Sequence, residues 1–406
     1  MTPRREPVGV HRSWARVDDF TAGTAAVFPG FEIEVATHHI DEVHRVLQDV
    51  ADAAERGWWA LGFLSYEAAA GLDPALPVRP ADHSATALPL TWFGLTPEPP
   101  LPAELVSSRA PYQAGPWRAD WSWARYEAAF GRVKEAIGEG RTYQCNLTTA
   151  LSGPFTGDEL SFYADLAHAQ HSRHCMYVDL GAHVIASASP ELFFEWGHGA
   201  ITTRPMKGTA ARGHTPEQDA RLRDALLAST KEQAENIIIV DLLRNDLAKF
   251  AAVGSVRVQS LLTPEAYPTV WQLTSQITAE PAAGTSFVDV MTALFPCGSV
   301  TGAPKAETMR IISDIEGRRR GIYCGAIGWV APPTEPVRAR FNVAIRTAHL
   351  DRGRGRCEYG VGSGITWGSD AVAEFAELRA KHSILTGGDD GVTGALTRRG
   401  AAGAAR

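Results

Sequence analysis

Apolar residues recur every three or four positions in several segments of the chain, and this spacing predicts amphipathic helices. The first such segment begins at Ile40 and stops at Gly57, and the second runs from Trp123 to Gly138. Four further helices are predicted over residues 216–228, 231–249, 304–316 and 370–385. In the last of these, glutamates stand among the apolar positions, so this helix is also a candidate for carrying functional residues.

Short apolar runs bounded by glycine, proline or polar residues predict strands. They cover residues 58–63, 142–150, 175–180, 184–188, 192–196, 200–203 and 357–361, and a hairpin made by residues 325–331 and 340–350. Because strands come in runs with helices between them and lack a regular βαβ alternation, the pattern predicts an α+β fold. A proline-rich stretch from Pro74 to Pro102 predicts a surface connection.

Composition and charge narrow the class of protein. Of 406 residues 45% are hydrophobic, which provides a substantial core, and this length gives a prior of two or three domains of ~150 residues. A net charge of −7 argues against a general nucleic-acid binder. The sequence shows neither a secretory signal nor an apolar run near the ~18 residues of a membrane span, so we expect a cytoplasmic protein without membrane contact. Five cysteines without a CxxC pair argue against disulfides and a cysteine zinc site.

Two pairs of glutamates are spaced three residues apart on predicted helices: Glu232 with Glu235, and Glu374 with Glu377. This spacing places both members of a pair on one helical face. The second pair has alanine, valine, phenylalanine and leucine neighbours, and a carboxylate in apolar surroundings costs several kcal/mol unless it is paired. Two such helices could hold Mg²⁺ through oxygen ligands; the alternative is two solvated faces.

Other segments carry groups that could bind or attack a small molecule. The glycine-rich residues 359–365 precede the last predicted helix, and free N–H groups near the start of a helix favour anions. Residues 297–305 form a second candidate loop. For both loops the alternative is a turn without a ligand. Lys207 is either a surface lysine or an amine nucleophile. Arg346 is either a paired core residue or a clamp for a carboxylate.

These segments together resemble the chorismate-utilising enzymes from about residue 120 to 385, in the order typical of that family. The matching motifs are YQCNL (143–147), SPELF (189–193), RPMKGT (204–209), AEN (234–236), VDLLRND (240–246), GSVTGAPK (298–305), CGAIG (324–328), AIRT (344–347), GSGI (362–365) and ExxE (374–377). Before residue 110 the resemblance depends mainly on GFLSYE (62–67).

The resemblance implies a four-layer α/β/β/α fold with two roughly orthogonally packed, antiparallel-rich sheets. It also implies one large chorismate-binding domain over residues 1–386, which makes the proline-rich stretch a loop rather than a domain boundary. The Gly/Ala-rich residues 387–406 are expected to form a disordered tail.

Roles for individual residues follow from the same resemblance. It implies that Glu235 and Glu377 hold Mg²⁺ at the ring carboxylate of chorismate, with Glu232 and Glu374 acting through water. Glu191 matches the general acid that protonates the leaving C4 hydroxyl. Substrate contacts are expected from Gln144, Thr301, Arg346, Gly362, Ser363 and Gly364.

Two positions distinguish among the reactions of this family. Members that add water carry a lysine base in the segment matching residues 143–147, whereas this chain has Gln144, which favours ammonia as the nucleophile. Lys207 matches a lysine typical of members that aminate chorismate at C4 through a covalent lysine adduct, and Asn236 favours the same branch. The resemblance therefore implies 4-amino-4-deoxychorismate as the product. The alternatives are an anthranilate-forming enzyme and a catalytically silent chorismate-binding paralogue.

The chain shows no glutaminase signature, so a separate glutamine amidotransferase is expected to supply the ammonia. Three residues depart from the family pattern: Gln272 stands where several members have histidine, Trp329 where tyrosine commonly reaches the enolpyruvyl carboxylate, and Cys297 where glycine is frequent. These departures concern substrate contacts more than the class of reaction.

Overall fold

The computed structural model describes residues 12–84, 86–267, 270–382 and 385. In chain order its strands are β1 (Trp14–Asp19), β2 (Thr24–Phe28), β3 (Ile33–Thr37), β4 (Trp59–Leu64), β5 (Thr91–Thr96), β6 (Leu101–Ala103), β7 (Tyr112–Ala114), β8 (Arg118–Ala119), β9 (Gln144–Gly157), β10 (His174–Asp179), β11 (His183–Ser189), β12 (Leu192–Gly197), β13 (Ala200–Arg204), β14 (Met206–Ala211), β15 (Arg257–Ala266), β16 (Val270–Ala279), β17 (Gly302–Ala303), β18 (Ala326–Val330), β19 (Val337–Val343), β20 (Thr347–Asp351) and β21 (Arg356–Thr366).

The α-helices are α1 (Val43–Glu55), α2 (Ala69–Leu72), α3 (Trp123–Gly138), α4 (Glu159–Gln170), α5 (Pro216–Ala228), α6 (Thr230–Ala248), α7 (Phe287–Leu294), α8 (Lys305–Glu316) and α9 (Ala371–His382). Within the described residues, no helix is long and apolar enough to cross a membrane. The expected tail over residues 387–406 lies outside the described residues.

The strands form two large antiparallel sheets. The first has the order β17-β9-β21-β20-β11-β10-β1-β2-β6, with β7 and β8 also paired to β9. The second has the order β14-β16-β13-β12-β19-β18-β4-β5-β3, with β15 paired to β16. Together with the helices, these sheets confirm the predicted α+β class.

Three groups of buried apolar side chains show how the layers stack. Helices α1, α6 and α7 pack on one face of the second sheet through residues that include Val50, Ile239 and Met291. Helices α3, α4 and α9 pack on the first sheet through residues that include Phe130, Phe162 and Phe375. The remaining group, with Phe63, Met176, Ile185 and Ile327, fills the space between the sheets. The layers therefore run helix, sheet, sheet, helix.

Local signals explain why the helix boundaries were predicted well. Helix α5 spans the residues that the sequence indicates, because the Thr215 side chain accepts a hydrogen bond from Gln218 N and Pro216 opens the first turn. The Asp158 side chain caps α4 in the same way by accepting from Ser161 N. Helix α4 was nevertheless missed, because it is apolar on most sides and lacks a clear helical period.

The prediction of one strand over residues 340–350 was wrong. Strand β19 belongs to the second sheet and β20 to the first, so the chain passes from one sheet to the other between them. Arg346 lies in this crossing with a φ of 51°, a left-handed conformation. Because the residues on both sides of the crossing are buried, the apolar pattern continues through it and hides the break.

The predicted surface connection between Pro74 and Pro102 was wrong in part. It contains β5, whose residues are all buried and which pairs with β3 and β4 in the second sheet. It also contains β6, which lies at the end of the first sheet order beside β2, a place where Pro102 is tolerated.

Candidate active site

The floor of the candidate site is formed by β9 and β21, which pair with Asn146 opposite Gly364 and Gln144 opposite Thr366. Side chains alternate along strands, so Gly362, Gly364 and Thr366 share a face with Gln144. The prediction that residues 359–365 form a loop before a helix was wrong, because they lie within β21.

The missing side chain of Gly364 leaves room for a ligand at this face. A Cβ there would lie 3.2 Å from Gln144 Nε2 and 3.4 Å from Lys207 Nζ. Both amide atoms of Gln144 are buried and have no hydrogen-bond partner among the described residues, so a bound polar group would satisfy them. Ser363 points to the opposite face, so only its main chain can contact a ligand here.

Lys207 and Glu191 meet at the same loop. Lys207 Nζ donates a hydrogen bond to Ser299 O at 3.0 Å. Burial raises the pKa of the Glu191 carboxyl to about 7, and the nearby Lys207 ammonium and Ser299 hydroxyl offset this only in part. Glu191 Oε1 is buried without a hydrogen-bond partner in the described part of the chain. An amine therefore lies near a carboxyl that holds its proton close to neutral pH, which suits nucleophilic and general-acid chemistry.

An irregularity in β14 aims Lys207 at the site. The register between β14 and β16 shifts between Met206 and Thr209, and Gly208 has a φ of 90°. Such bulges re-aim side chains, and the positive φ favours glycine. A Cβ on Gly208 would also lie 3.2 Å from Glu232 Oε2, so this glycine lets β14 approach α6 closely.

Asn236 and Gln272 support the main chain around Lys207. Asn236 Nδ2 donates to Lys207 O at 3.5 Å, and its Oδ1 accepts from Ser275 Oγ at 2.6 Å. Gln272 Nε2 donates to Gly208 O at 2.9 Å. Both amides thus act on the backbone that carries Lys207.

The two predicted glutamate pairs come together from α6 and α9. Lys231 Nζ lies 3.2 Å from Glu374 Oε1 and 3.8 Å from Glu235 Oε1, so carboxylates of both helices contact one ammonium group. Burial raises the pKa of Glu235 to about 7, although Lys207 opposes this. Burial also raises the pKa of Glu232; Lys231 opposes the shift, while Glu377 and Glu374 add to it.

Glu377, at the other end of this cluster, is paired with Lys381 at 2.6 Å. Burial alone would raise the pKa of Glu377, but its contact with Lys381 and the charges of Lys207 and Lys231 together lower it. Lys381 also donates to Gly362 O at 2.8 Å, and its own carbonyl accepts from Arg346 Nη1 at 2.9 Å. Arg346 thus lies beside α9, and Lys381 links that helix to the main chain of Gly362.

Sequence reasoning missed Lys231 and Lys381. Each stands four residues from a predicted metal ligand, Lys231 from Glu235 and Lys381 from Glu377. This i,i+4 spacing of opposite charges on a helix is a signal that could have found both.

The chemistry of the four glutamates fits a divalent cation. Two carboxylates from different helices already share the Lys231 ammonium group. Because burial raises the pKa of Glu235, a divalent cation would stabilise its ionised form more than a single ammonium group does. In the described residues, no three His, Cys, Asp or Glu side chains are arranged as a ready ligand shell. The cluster therefore supplies the donor type without a closed coordination sphere.

The comparison with known families decides the assignment. The sequence model of the family described as chorismate binding enzyme matches residues 97–387, which is more than half of the chain. The chain belongs to this family. The predicted resemblance is therefore confirmed.

Curated relatives lie in two branches of the chorismate binding enzymes. The chain is 36% identical over 261 residues to aminodeoxychorismate synthase component 1 of Klebsiella aerogenes, covering 64% of this chain and 57% of that protein. It is 37% identical over 232 residues to anthranilate synthase component 1 of Aquifex aeolicus, covering 57% of this chain and 46% of that protein. The match thus spans about half of each relative's length.

Solved structures confirm the fold. Anthranilate synthase component I from Streptococcus pneumoniae matches with a TM-score of 0.70 and 22% identity, covering 95% of this chain and 94% of that one. The Bacillus anthracis DhbC structure, titled as a putative 2,3-dihydroxybenzoate-specific isochorismate synthase, matches with a TM-score of 0.71 and 19% identity over 93% and 96% of the two chains.

Thr301, an expected substrate contact of this chorismate binding enzyme, and Trp329, which departs from the family pattern, both contact other parts of the chain here. The Thr301 hydroxyl donates to Cys297 O at 3.1 Å, and Thr301 O accepts from Asn146 N at 2.8 Å, which holds the loop against β9. Trp329 packs against Trp59 with ring centroids 5.6 Å apart. Trp329 belongs to the apolar group between the sheets.

A cavity of about 310 Å³ lies elsewhere in the chain. Its lining includes Arg318, His183 and His349 and none of the predicted site residues. The catalytic assignment therefore depends on the side chains above and not on the size of a cavity.

Proposed function

We propose that this chain is component 1 of an aminodeoxychorismate synthase, which converts chorismate and ammonia to 4-amino-4-deoxychorismate. The observation that carries the proposal is the approach of Lys207 and the buried Glu191 to the same Ser299 loop, beside the open face of Gly364. This pairs a nucleophilic amine with a proton donor, the two groups that an amination through a lysine adduct requires.

The chain's own residues divide the work of the reaction. The Lys207 ammonium first loses a proton to solvent. The neutral amine then forms a bond to C2 of chorismate while the C4–O bond breaks, and the hydroxyl leaves as water with the Glu191 proton. Ammonia then forms a bond to C4 while the C2–N bond breaks and returns the lysine. Two displacements replace one unfavourable step. The unpartnered amide of Gln144 provides hydrogen bonds without acting as a base for water.

The substrate carries two carboxylates, and the site offers separate groups for them. Arg346 and the main chain of residues 362–364 would bind one carboxylate, with Thr301 nearby on the loop. Glu235, Glu377, Glu232 and Glu374 would hold Mg²⁺, which when bound supplies positive charge to orient and polarise a substrate carboxylate. Lys381 fixes the strand edge at Gly362 beside these groups.

Ammonia would come from a glutamine amidotransferase subunit in the cytoplasm. The names of the relatives in Klebsiella aerogenes and Salmonella typhimurium include the words component 1, which implies a second component. A longer relative in Streptomyces griseus is named aminodeoxychorismate synthase; it is 35% identical over 84% of this chain and 42% of its own length. Residues 1–386 would form the chorismate-binding domain.

Anthranilate synthase component 1 is the second candidate, because relatives with that name match this chain at 35 to 38% identity. Lys207 favours amination at C4 through a lysine adduct, since anthranilate synthases usually have a small residue at the matching position. The test is to incubate the full chain with chorismate, Mg²⁺ and excess ammonium, and to identify the product by mass spectrometry. Anthranilate without aminodeoxychorismate would overturn the proposal, and chorismate binding without any product would favour a silent paralogue.

A further inference from the structure

Lys231 lies where the two acidic helices meet. Its ammonium contacts Glu374 of α9 at 3.2 Å and lies 3.8 Å from Glu235 of α6. The side chains of these glutamates are 4% and 10% exposed, whereas that of Lys231 is 40% exposed. The cation is thus the member of this trio that can move into solvent, while the carboxylates stay in place.

Within the described residues, Lys231 makes no hydrogen bond to the loop that joins β21 to α9. Its stem passes Gly368, where a Cβ would lie 3.7 Å from Lys231 Cγ. The loop itself is held by another lysine, because Lys134 Nζ donates to Thr366 O at 3.2 Å and to Ser369 O at 3.4 Å. Lys231 can therefore withdraw without releasing the connection between β21 and α9.

We infer that Lys231 is a built-in counter-cation of the metal site. It balances the buried carboxylates when no divalent cation is bound, and a divalent cation must displace it. The inference rests on the metal site of the proposed function. Since an ammonium group and a divalent cation repel each other and compete for the same oxygens, Lys231 lowers the affinity of the free enzyme for metal.

The test is the affinity for Mn²⁺ without chorismate, measured from the loss of the free-ion electron paramagnetic resonance signal. We expect Lys231→Met to bind Mn²⁺ about fivefold more tightly than the wild type, from the ~1 kcal/mol of a partly exposed ion pair. Lys231→Arg keeps the charge and should resemble the wild type. Lys249→Met is the matched control, because Lys249 lies at the C-terminal end of the same helix and pairs instead with Asp246.

Melting temperatures provide a second readout. In EDTA, Lys231→Met should melt below the wild type, because Glu374 and Glu235 lose their partner, and saturating Mn²⁺ should close this gap. Unchanged or weaker Mn²⁺ binding by folded Lys231→Met would overturn the inference, as would an equal gain in Lys249→Met; both leave the proposed function intact. If the wild type binds no Mn²⁺ even with chorismate, the metal site in the proposed function fails as well.

Discussion

Replacing Glu191 by glutamine should stabilise the protein at alkaline pH while it removes the proposed proton donor. The Glu191 side chain is buried, and one carboxyl oxygen has no hydrogen-bond partner among the described residues. Folding therefore disfavours the charged form of this group. A glutamine of nearly the same shape keeps the contacts but cannot become charged.

The magnitude follows from the shift of the pKa. Burial raises the pKa of Glu191 from 4.5 to about 7, a difference worth about 3 kcal/mol between the two protonation states. Because the pKa in the folded state is the higher one, this stabilising contribution is fully present below pH 4.5 and is lost as the pH rises through 7. The wild type should thus lose about 3 kcal/mol over this range, and the variant should not.

The assay is thermal unfolding by circular dichroism between pH 5 and 9. With an unfolding entropy of ~2.1 cal/mol/K per residue, the variant should gain about 3 °C relative to the wild type as the pH rises from 5 to 8. Glu98→Gln, at an exposed position, should show no such trend. A difference in melting temperature that stays constant with pH would refute the argument that Glu191 is held protonated by burial.

Three further predictions test other parts of the site and the fold. Lys207→Ala should lower the rate of amination by at least about 100-fold, with chorismate affinity changed less than about threefold in a fluorescence titration. Full activity of this variant would refute the proposed lysine adduct. Gly364→Ala should raise the KM for chorismate about tenfold because its Cβ crowds Gln144 and Lys207, whereas Gly131→Ala, which meets no atom within 4 Å, should not. Arg320→Met should cost about 3–5 kcal/mol in urea unfolding, because it leaves the charge of Glu316 without a cation at a site where both side chains are 1% exposed. Adding Glu316→Met should restore only part of the loss, because Val300 O, Asn146 O and Thr148 N lose their side-chain partners.

Elements whose boundaries are set by neighbouring residues in the sequence were predicted best. Helix α5 has its cap and its first proline within one turn, so its bounds could be read directly. The glutamates at spacing three were correctly placed on single helices, but which helices meet depends on contacts across the chain. The meeting of Glu235 with Glu374 through Lys231 therefore needed the structure.

Long-range pairing explains the errors. Strand β5 was hidden in a proline-rich segment because its partners, β3 and β4, end at Thr37 and Leu64, well before β5 begins at Thr91. The glycines of β21 look like a loop, yet their pairing with β9 over eleven residues makes them a strand. Glycine weakens a strand because it has no side chain to pack. In β21 the same lack of side chains leaves room for a ligand on the face shared with Gln144.

The charges of the site explain why an acidic protein could bind a dianion. The site contains five carboxyl groups and four cationic groups. The carboxyl groups are those of Glu191, Glu232, Glu235, Glu374 and Glu377, and the cationic groups are those of Lys207, Lys231, Lys381 and Arg346. Because the pKa of both Glu191 and Glu235 is about 7, these two groups together carry about one negative charge at neutral pH. The site is then close to neutral before the substrate arrives. A dicarboxylate would leave it with two excess negative charges, which one divalent cation balances. In the proposed function, substrate and metal are therefore each other's counter-charge, and each should raise the affinity for the other by the same factor.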